Sequence, residues 1–297
     1  MQTAEQLTRR INSATDLLDI VRTMKGLAAV SINRYERAVN SIDEYYRTVL
    51  LGLQAVLQAG PTGMRRRQER RTEARRLGIV VFGSDQGMCG GFNDRIGHFA
   101  IGRIPRLHDN RSPPRLLCVG ARVAAFLEAA GFPVEEVYAV PGSLDGIVPQ
   151  SQNILAAIDG WREQDQVNTV KLFHNSKAKG VSAQQQEIHL LPLADEWYGD
   201  IVARPWASRS LPVYTLGRNR LFSSLLRQYL FVSLYRAFAQ SMATENAGRL
   251  SAMQAAEENI DERLEDLFAE YRRQRQSSIT SELLDIVSGF EAMSVEK

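Results

Sequence analysis

The chain has 297 residues, 44% of them hydrophobic and 24% charged, the composition of an ordinary soluble protein with room for about two domains. This excludes a collagen-like fibre, a disordered tail and a disulfide miniprotein. The formal net charge of +2 hides an N-terminal excess, since residues 1–76 hold 14 basic and 8 acidic side chains.

The first predicted element is a long helix. Leu7, Ile11, Ala14, Leu18, Val21, Lys25, Ala28, Ile32, Tyr35, Val39, Ile42, Tyr46, Val49, Leu53 and Val56 follow at alternating spacings of four and three, and only Lys25 is neither apolar nor aromatic. That heptad seam requires a partner helix wound around it with a left-handed supercoil. Gly60-Pro61 is the expected stop, and about 55 residues at 1.5 Å each predict a rod of roughly 80 Å.

A basic connector, RRRQERRTEARR, runs from Arg65 to Arg76 within the expected segment 61–76. Two glutamates interrupt it and no aromatic interleaves, which favours a solvated linker or a docking patch over a grip on nucleic acid.

Residues 77–212 read as one small α/β domain with a Rossmann-like parallel sheet. LGIVVF (Leu77 to Phe82) and RLLCV (Arg115 to Val119) are short apolar strands followed by helical stretches, Ser143 to Gln164 reads as a helix, and Val167 to Phe173 and Gln186 to Leu191 read as further strands. From Thr215 to about Met293 the chain is helical again and free of proline. Its heptad step runs through Ile260, Leu264, Leu267 and Tyr271 and resumes at Ile279, Leu283, Ile286, Phe290 and Met293, after a slip of one residue. The segments 1–60 and 213–297 are expected to form an antiparallel two-helix coiled coil on the globular foot. The second is longer, so its end should project alone beyond about residue 271, with an apolar stripe that needs a sheath.

The chemistry-bearing residues are sparse. GSDQGMCGGFN (Gly83 to Asn93) sits between a strand and a helix, but it lacks the Lys-Ser/Thr of a phosphate loop and the spacing of a dinucleotide fingerprint, so Gly87, Cys89, Gly90 and Gly91 read as parts of a structural turn. His98, His108, His174 and His189 have no ligand spacing, and no nucleophile has an adjacent base; no catalytic residue, metal or cofactor is expected. Cys89 and Cys118 read as free or buried thiols. With no apolar run of about 20 residues, the protein is expected to be cytoplasmic or peripheral to a membrane.

Three segments carry a resemblance: RTMKGLAAVSINRYERA (Arg22 to Ala38), GSDQGMCGGFN, and the stretch from Tyr229 to Met293 ending ITSELLDIVSGFEAM. Over essentially its whole length the chain resembles the gamma subunit of F-type ATP synthases, whose signatures read SDRGLCGGFN and ITxELLxIVxGAEA. Phe290 departs from the family's small alanine, TDLLDI (Thr15 to Ile20) is more acidic than the usual opening, and the Arg65 block is richer in arginine. These departures resemble the variant N-type bacterial and archaeal complexes, for which sodium is a candidate coupling ion.

The resemblance implies a non-catalytic rotor shaft, peripheral on the cytoplasmic face of a bacterial or archaeal plasma membrane. It implies a hexameric head of alpha and beta subunits, an epsilon subunit and a membrane c-ring as partners, with neither nucleic acid nor direct membrane insertion. It further implies that Arg275, Gln276, Thr280 and Glu282 face the beta catch loops, that Met24 and Lys25 lie near an acidic lever of beta, and that Ile279, Leu283, Ile286, Val287 and Phe290 seat in an apolar bearing. Two rivals make different predictions: a coiled-coil adaptor binding nucleic acid through Arg65 to Arg76, and a nucleotide-binding enzyme on the α/β domain.

Overall fold

The computed structural model describes residues 4–58, 76–107, 113–178, 181–193, 195–206, 210 and 212–294. In chain order the elements are α1 (Ala4–Gln58), β1 (Leu77–Phe82), α2 (Phe92–Leu107), β2 (Arg115–Val119), α3 (Ala121–Ala129), β3 (Glu136–Tyr138), a 3-10 turn (Leu144–Gly146), α4 (Ile147–Gln164), β4 (Thr169–Ala178), β5 (Val181–Leu191), α5 (Asp195–Ala203) and α6 (Arg218–Ser294). The expected stop at Gly60-Pro61 and the connector as far as residue 75 lie outside the described residues. The chain forms two compact units, residues 29–249 and a tip unit of residues 1–28 with 250–297, so each terminal helix contributes to both.

The larger unit is built on a five-stranded sheet of order β3-β2-β1-β4-β5. β3, β2, β1 and β4 are mutually parallel, in line with the parallel sheet expected from the apolar runs of β1, β2 and β4, but β5 runs antiparallel to β4, so the sheet is mixed. The reason is in the connection. Only two residues separate the strands, enough for a hairpin and far short of the dozen or so that a parallel crossover needs. β3 and α5 are further elements that the sequence pattern does not announce.

β1 is buried along its whole length because both faces of the sheet are covered. Ile79 and Val81 face α2 and α3, meeting Ile96, Ala100, Val123 and Leu127 in one core. Val80 and Phe82 face the other way, into a larger core with Ile154 and Ile158 of α4, Leu53 and Val56 of α1, and Leu234 and Phe238 of α6. Phe82 and Phe238 meet edge to face at 4.8 Å.

Along α1 the heptad pattern is expressed as burial: none of its fifteen seam positions is exposed. In the larger unit the pairing of α1 with α6 is antiparallel, with Asp43 ion-paired with Arg236 at 3.0 Å and the rings of Tyr46 and Tyr229 in tilted contact at 5.7 Å.

His174, which by sequence spacing has no metal-ligand partner, lies on β4 and is buried, its Nε2 2.9 Å from Gln240 Oε1 and its Nδ1 without a partner. Burial chiefly, with Arg236 nearby, pulls its pKa down to about 4. The folded state therefore binds fewer protons than the unfolded one, and the stability due to neutral His174 is complete above about pH 6.5 and lost as the pH falls toward 4. A shift of this size corresponds to about 3 kcal/mol. In urea titrations, His174→Gln should flatten the acid-side decline of unfolding free energy by that order between pH 6.5 and 4; an unchanged slope would refute the assignment.

Candidate functional site

Two places bear on function: the loop after β1 and the tip unit. In open α/β sheets, ligands bind at the carboxyl ends of the strands near the switch in strand order. Here that crevice is occupied by the protein itself. The Ser84 backbone N–H donates to Asn93 Oδ1 at 3.0 Å, Asn93 Nδ2 donates to Ser84 Oγ at 2.8 Å, and the Ser84 hydroxyl donates to the Gln86 carbonyl at 2.8 Å. The Asp85 carboxylate accepts from the Ala121 N–H at the start of α3 and from the Val140 N–H, at 2.9 and 2.7 Å. A helix N-terminus that could hold a phosphate is thus filled by an internal carboxylate.

Two glycines allow this packing. Gly120 has φ 103°, and a Cβ there would lie 2.7 Å from the Ser84 backbone; at Gly248, on α6, a Cβ would lie 2.6 Å from the Cys89 carbonyl oxygen. The loop is therefore seated on α6 through Cys89. Gly87 is half-buried and Gly90 and Gly91 are exposed, with Gly90 at φ 60°. Cys89 and Cys118 are free and buried, and burial raises both thiols, Cys118 to about 12, so they are inert at neutral pH.

Beneath the loop on α6, Glu245 and Arg249 form a buried pair at 2.7 Å. Desolvation pushes the Glu245 carboxyl up, and the Arg249 charge opposes the rise.

In the tip unit, Leu7, Ile11 and Leu18 of α1 pack with Leu264 and Leu267 of α6, joined by Ala14, Ile260 and Tyr271. Lys25, the one charge in the seam, is ion-paired with Glu257 of α6, and Arg22 Nε donates to the same carboxylate at 3.0 Å. Met24 is half-buried. Neither Arg22 nor Glu257 stands out in the sequence, because their meeting depends on which turn of one helix faces which turn of another more than 230 residues away.

Beyond Tyr271 the character of α6 changes. None of the described side chains from 272 to 288 is buried. Arg275, Gln276, Thr280 and Glu282 are exposed, with the Thr280 hydroxyl donating to the Gln276 carbonyl at 2.9 Å. Ile279, Leu283, Ile286 and Val287 are 48%, 57%, 68% and 52% exposed, an apolar stripe in water. Phe290 lies on the same helix, but its side chain is outside the described residues. No helix is long and apolar enough to cross a membrane among the described residues.

The profile of the ATP synthase family matches residues 3–293. The ATP synthase gamma chain of Salinibacter ruber is 30% identical over 99% of this chain and 99% of its own length. That of Heliobacterium modesticaldum is 26% identical over 97% and 98%. Among solved structures, a chain of the Euglena gracilis mitochondrial ATP synthase, in an OSCP/F1/c-ring assembly, superposes with a TM-score of 0.61 at 15% identity, covering 98% of this chain and 94% of that one. A chain from the central stalk and c-ring of the Tetrahymena thermophila mitochondrial ATP synthase gives 0.53 at 20% identity, over 80% and 99%. These two likenesses establish the shared fold.

Proposed function

Because the chain belongs to the ATP synthase gamma-chain family, we propose that it is the central rotor shaft of such a synthase, a non-catalytic subunit that couples turning of a membrane c-ring to ATP synthesis or hydrolysis in a head of alpha and beta subunits. The reading is carried by the bare apolar stripe at the end of α6, in a chain that matches the family almost from end to end. Such a stripe is stable only inside a partner. The packed crevice at the end of β1 argues against a nucleotide enzyme on the sheet, since the backbone N–H groups that would hold phosphates are already bonded within the chain.

In this reading Ile279, Leu283, Ile286, Val287 and Phe290 run in an apolar bearing, and Arg275, Gln276, Thr280 and Glu282 form the surface turned to the beta catch loops. Met24 and Lys25 approach the acidic lever of beta, Lys25 through the 35% of its side chain left exposed beside Glu257. The foot rests on the c-ring with an epsilon subunit, peripheral to the cytoplasmic face of a bacterial or archaeal membrane. Protons or sodium ions drive it, and that choice lies in other subunits. The chain performs no covalent step. It acts by having different interaction free energies with the open, loose and tight states of beta, so that turning it shifts their populations.

The test is reconstitution. Alpha and beta subunits should show sustained ATPase activity only when this chain is added, and the chain alone should neither hydrolyse ATP nor take up nucleotide in calorimetry. Micromolar nucleotide binding by the chain alone, or activity of alpha and beta unaffected by it, would overturn the proposal.

A further inference from the structure

In the tip unit the apolar seam is interrupted by charge. Leu18 packs among Leu264 and Leu267, but the seam position two turns further along α1 is Lys25. There Glu257 of α6 takes two cations at once: Arg22 Nε donates to Oε1 at 3.0 Å, and Lys25 donates to Oε2. Arg22 Nη2 also lies 3.7 Å from Asp261, one turn along α6. The Glu257 side chain is 18% exposed, the most enclosed of the group, while Arg22 is 50% exposed.

Arg22 and Lys25 are separated along α1 by about 4.5 Å, nearly one turn of helix. Glu257 reaches both at only one axial setting of the helices; a slide of one turn takes it from both, bringing Met253 into its place in one direction and the shorter Asp261 in the other. Exposed ion pairs add little net stability. A polar contact inside an apolar seam has a different use, since it penalises registers in which the charges lose their best partner. The leucines alone discriminate poorly, because a slid seam still sets apolar against apolar.

We propose that Glu257 is a positioning residue, a register lock that fixes α6 against α1 in the tip and thereby sets the axial position of the Arg275–Glu282 surface. The hydrogen bond from Lys25, then that from Arg22, holds the Glu257 carboxyl below its usual range, so the lock is charged at neutral pH. Its consequence for rotation rests on the rotor reading; the lock itself does not.

The experiment uses the full chain with spin labels on Ser13 and Glu262, both exposed. The unaltered lock should give one narrow distance distribution. Glu257→Lys, which sets three cations together, should broaden it and shift its mean, by less than the ~5 Å rise of one turn because the labels lie side by side across the helix pair. The double reversal Lys25→Glu with Glu257→Lys should restore the narrow distribution. An unmoved distribution in Glu257→Lys, or one that the double reversal does not restore, overturns the lock.

In the assembled complex the same variants are read by ATP synthesis relative to hydrolysis. Several-fold uncoupling in Glu257→Lys, recovered in the double reversal, is expected. A distance change without uncoupling overturns the positioning role, as does uncoupling that the reversal leaves in place. Should the unaltered chain fail to couple at all, the rotor reading falls while the label distances still judge the lock.

Discussion

Truncating the chain after Tyr271 should lower coupled ATP synthesis in the assembled complex by at least about tenfold, while leaving the sheet-based unit folded. The cut falls where the helix pairing ends. Tyr271 is the last residue of α6 packed with the tip core, and beyond it no described side chain is buried. The removed segment therefore contributes almost nothing to the stability of the free chain, and its circular dichroism melting temperature should move little. Within a socket the account reverses: Ile279, Leu283, Ile286 and Val287 each have large apolar area to bury, worth about 1.5–3 kcal/mol per side chain when fully enclosed. The paired measurement is complex yield and synthesis rate against the melting temperature of the chain alone. Undiminished yield and synthesis after the deletion would remove the reason for calling this segment a bearing.

The second large effect is on folding. Arg249→Ala should destabilise the larger unit by about 3–5 kcal/mol at neutral pH, because Glu245 is then buried without its partner. Burial already raises the Glu245 carboxyl, and loss of the guanidinium raises it further. A carboxyl with a raised folded-state pKa favours folding at low pH and costs stability as pH rises through that value. The deficit of Arg249→Ala relative to the unaltered chain should therefore shrink on acidification from pH 7 to 5, and the contribution of His174 cancels in that difference. Replacing both Glu245 and Arg249 with methionine should recover most of the loss, since the desolvation of two charges disappears together with their attraction. Urea unfolding of the single and double variants checks both points. A deficit independent of pH, or a double variant as unstable as the single one, would show that Arg249 acts by packing alone.

The elements differ in how plainly the sequence announces them. The heptad of α1 is legible because periodicity is a property of one segment, and the seam from Leu7 to Val56 repeats often enough to outweigh its one charge. The bare stripe of α6 follows from simple subtraction of one helix length from another. β5 is located in part, but its direction depends on the two-residue connection to β4, a length that apolar patterning does not weigh. β3 has three residues, too few for a period to emerge, and the apolar residues of the nine-residue α5 do not set it apart from the strand pattern before it. The β1 loop reads as a turn from its glycines, yet the filling of the crevice depends on Asp85 reaching α3 and on Asn93 folding back to Ser84. Those contacts are set by tertiary placement, as is the meeting of Lys25 with Glu257.

The tip unit is assembled from the two extremities of the polypeptide, residues 1–28 and 250–297. On a ribosome the first segment therefore emerges with its leucines unmatched and must wait for the last to be made. At about 5–20 residues per second, the roughly 220 intervening residues take on the order of 10–45 s. Throughout that interval the larger unit can already form, but the N-terminal stretch has nothing of its own to fold upon. Folding during synthesis is thus ordered by connectivity: residues 29–249 can complete their unit before the segment from 250 onward is available to pair with α1 as far as Ala28.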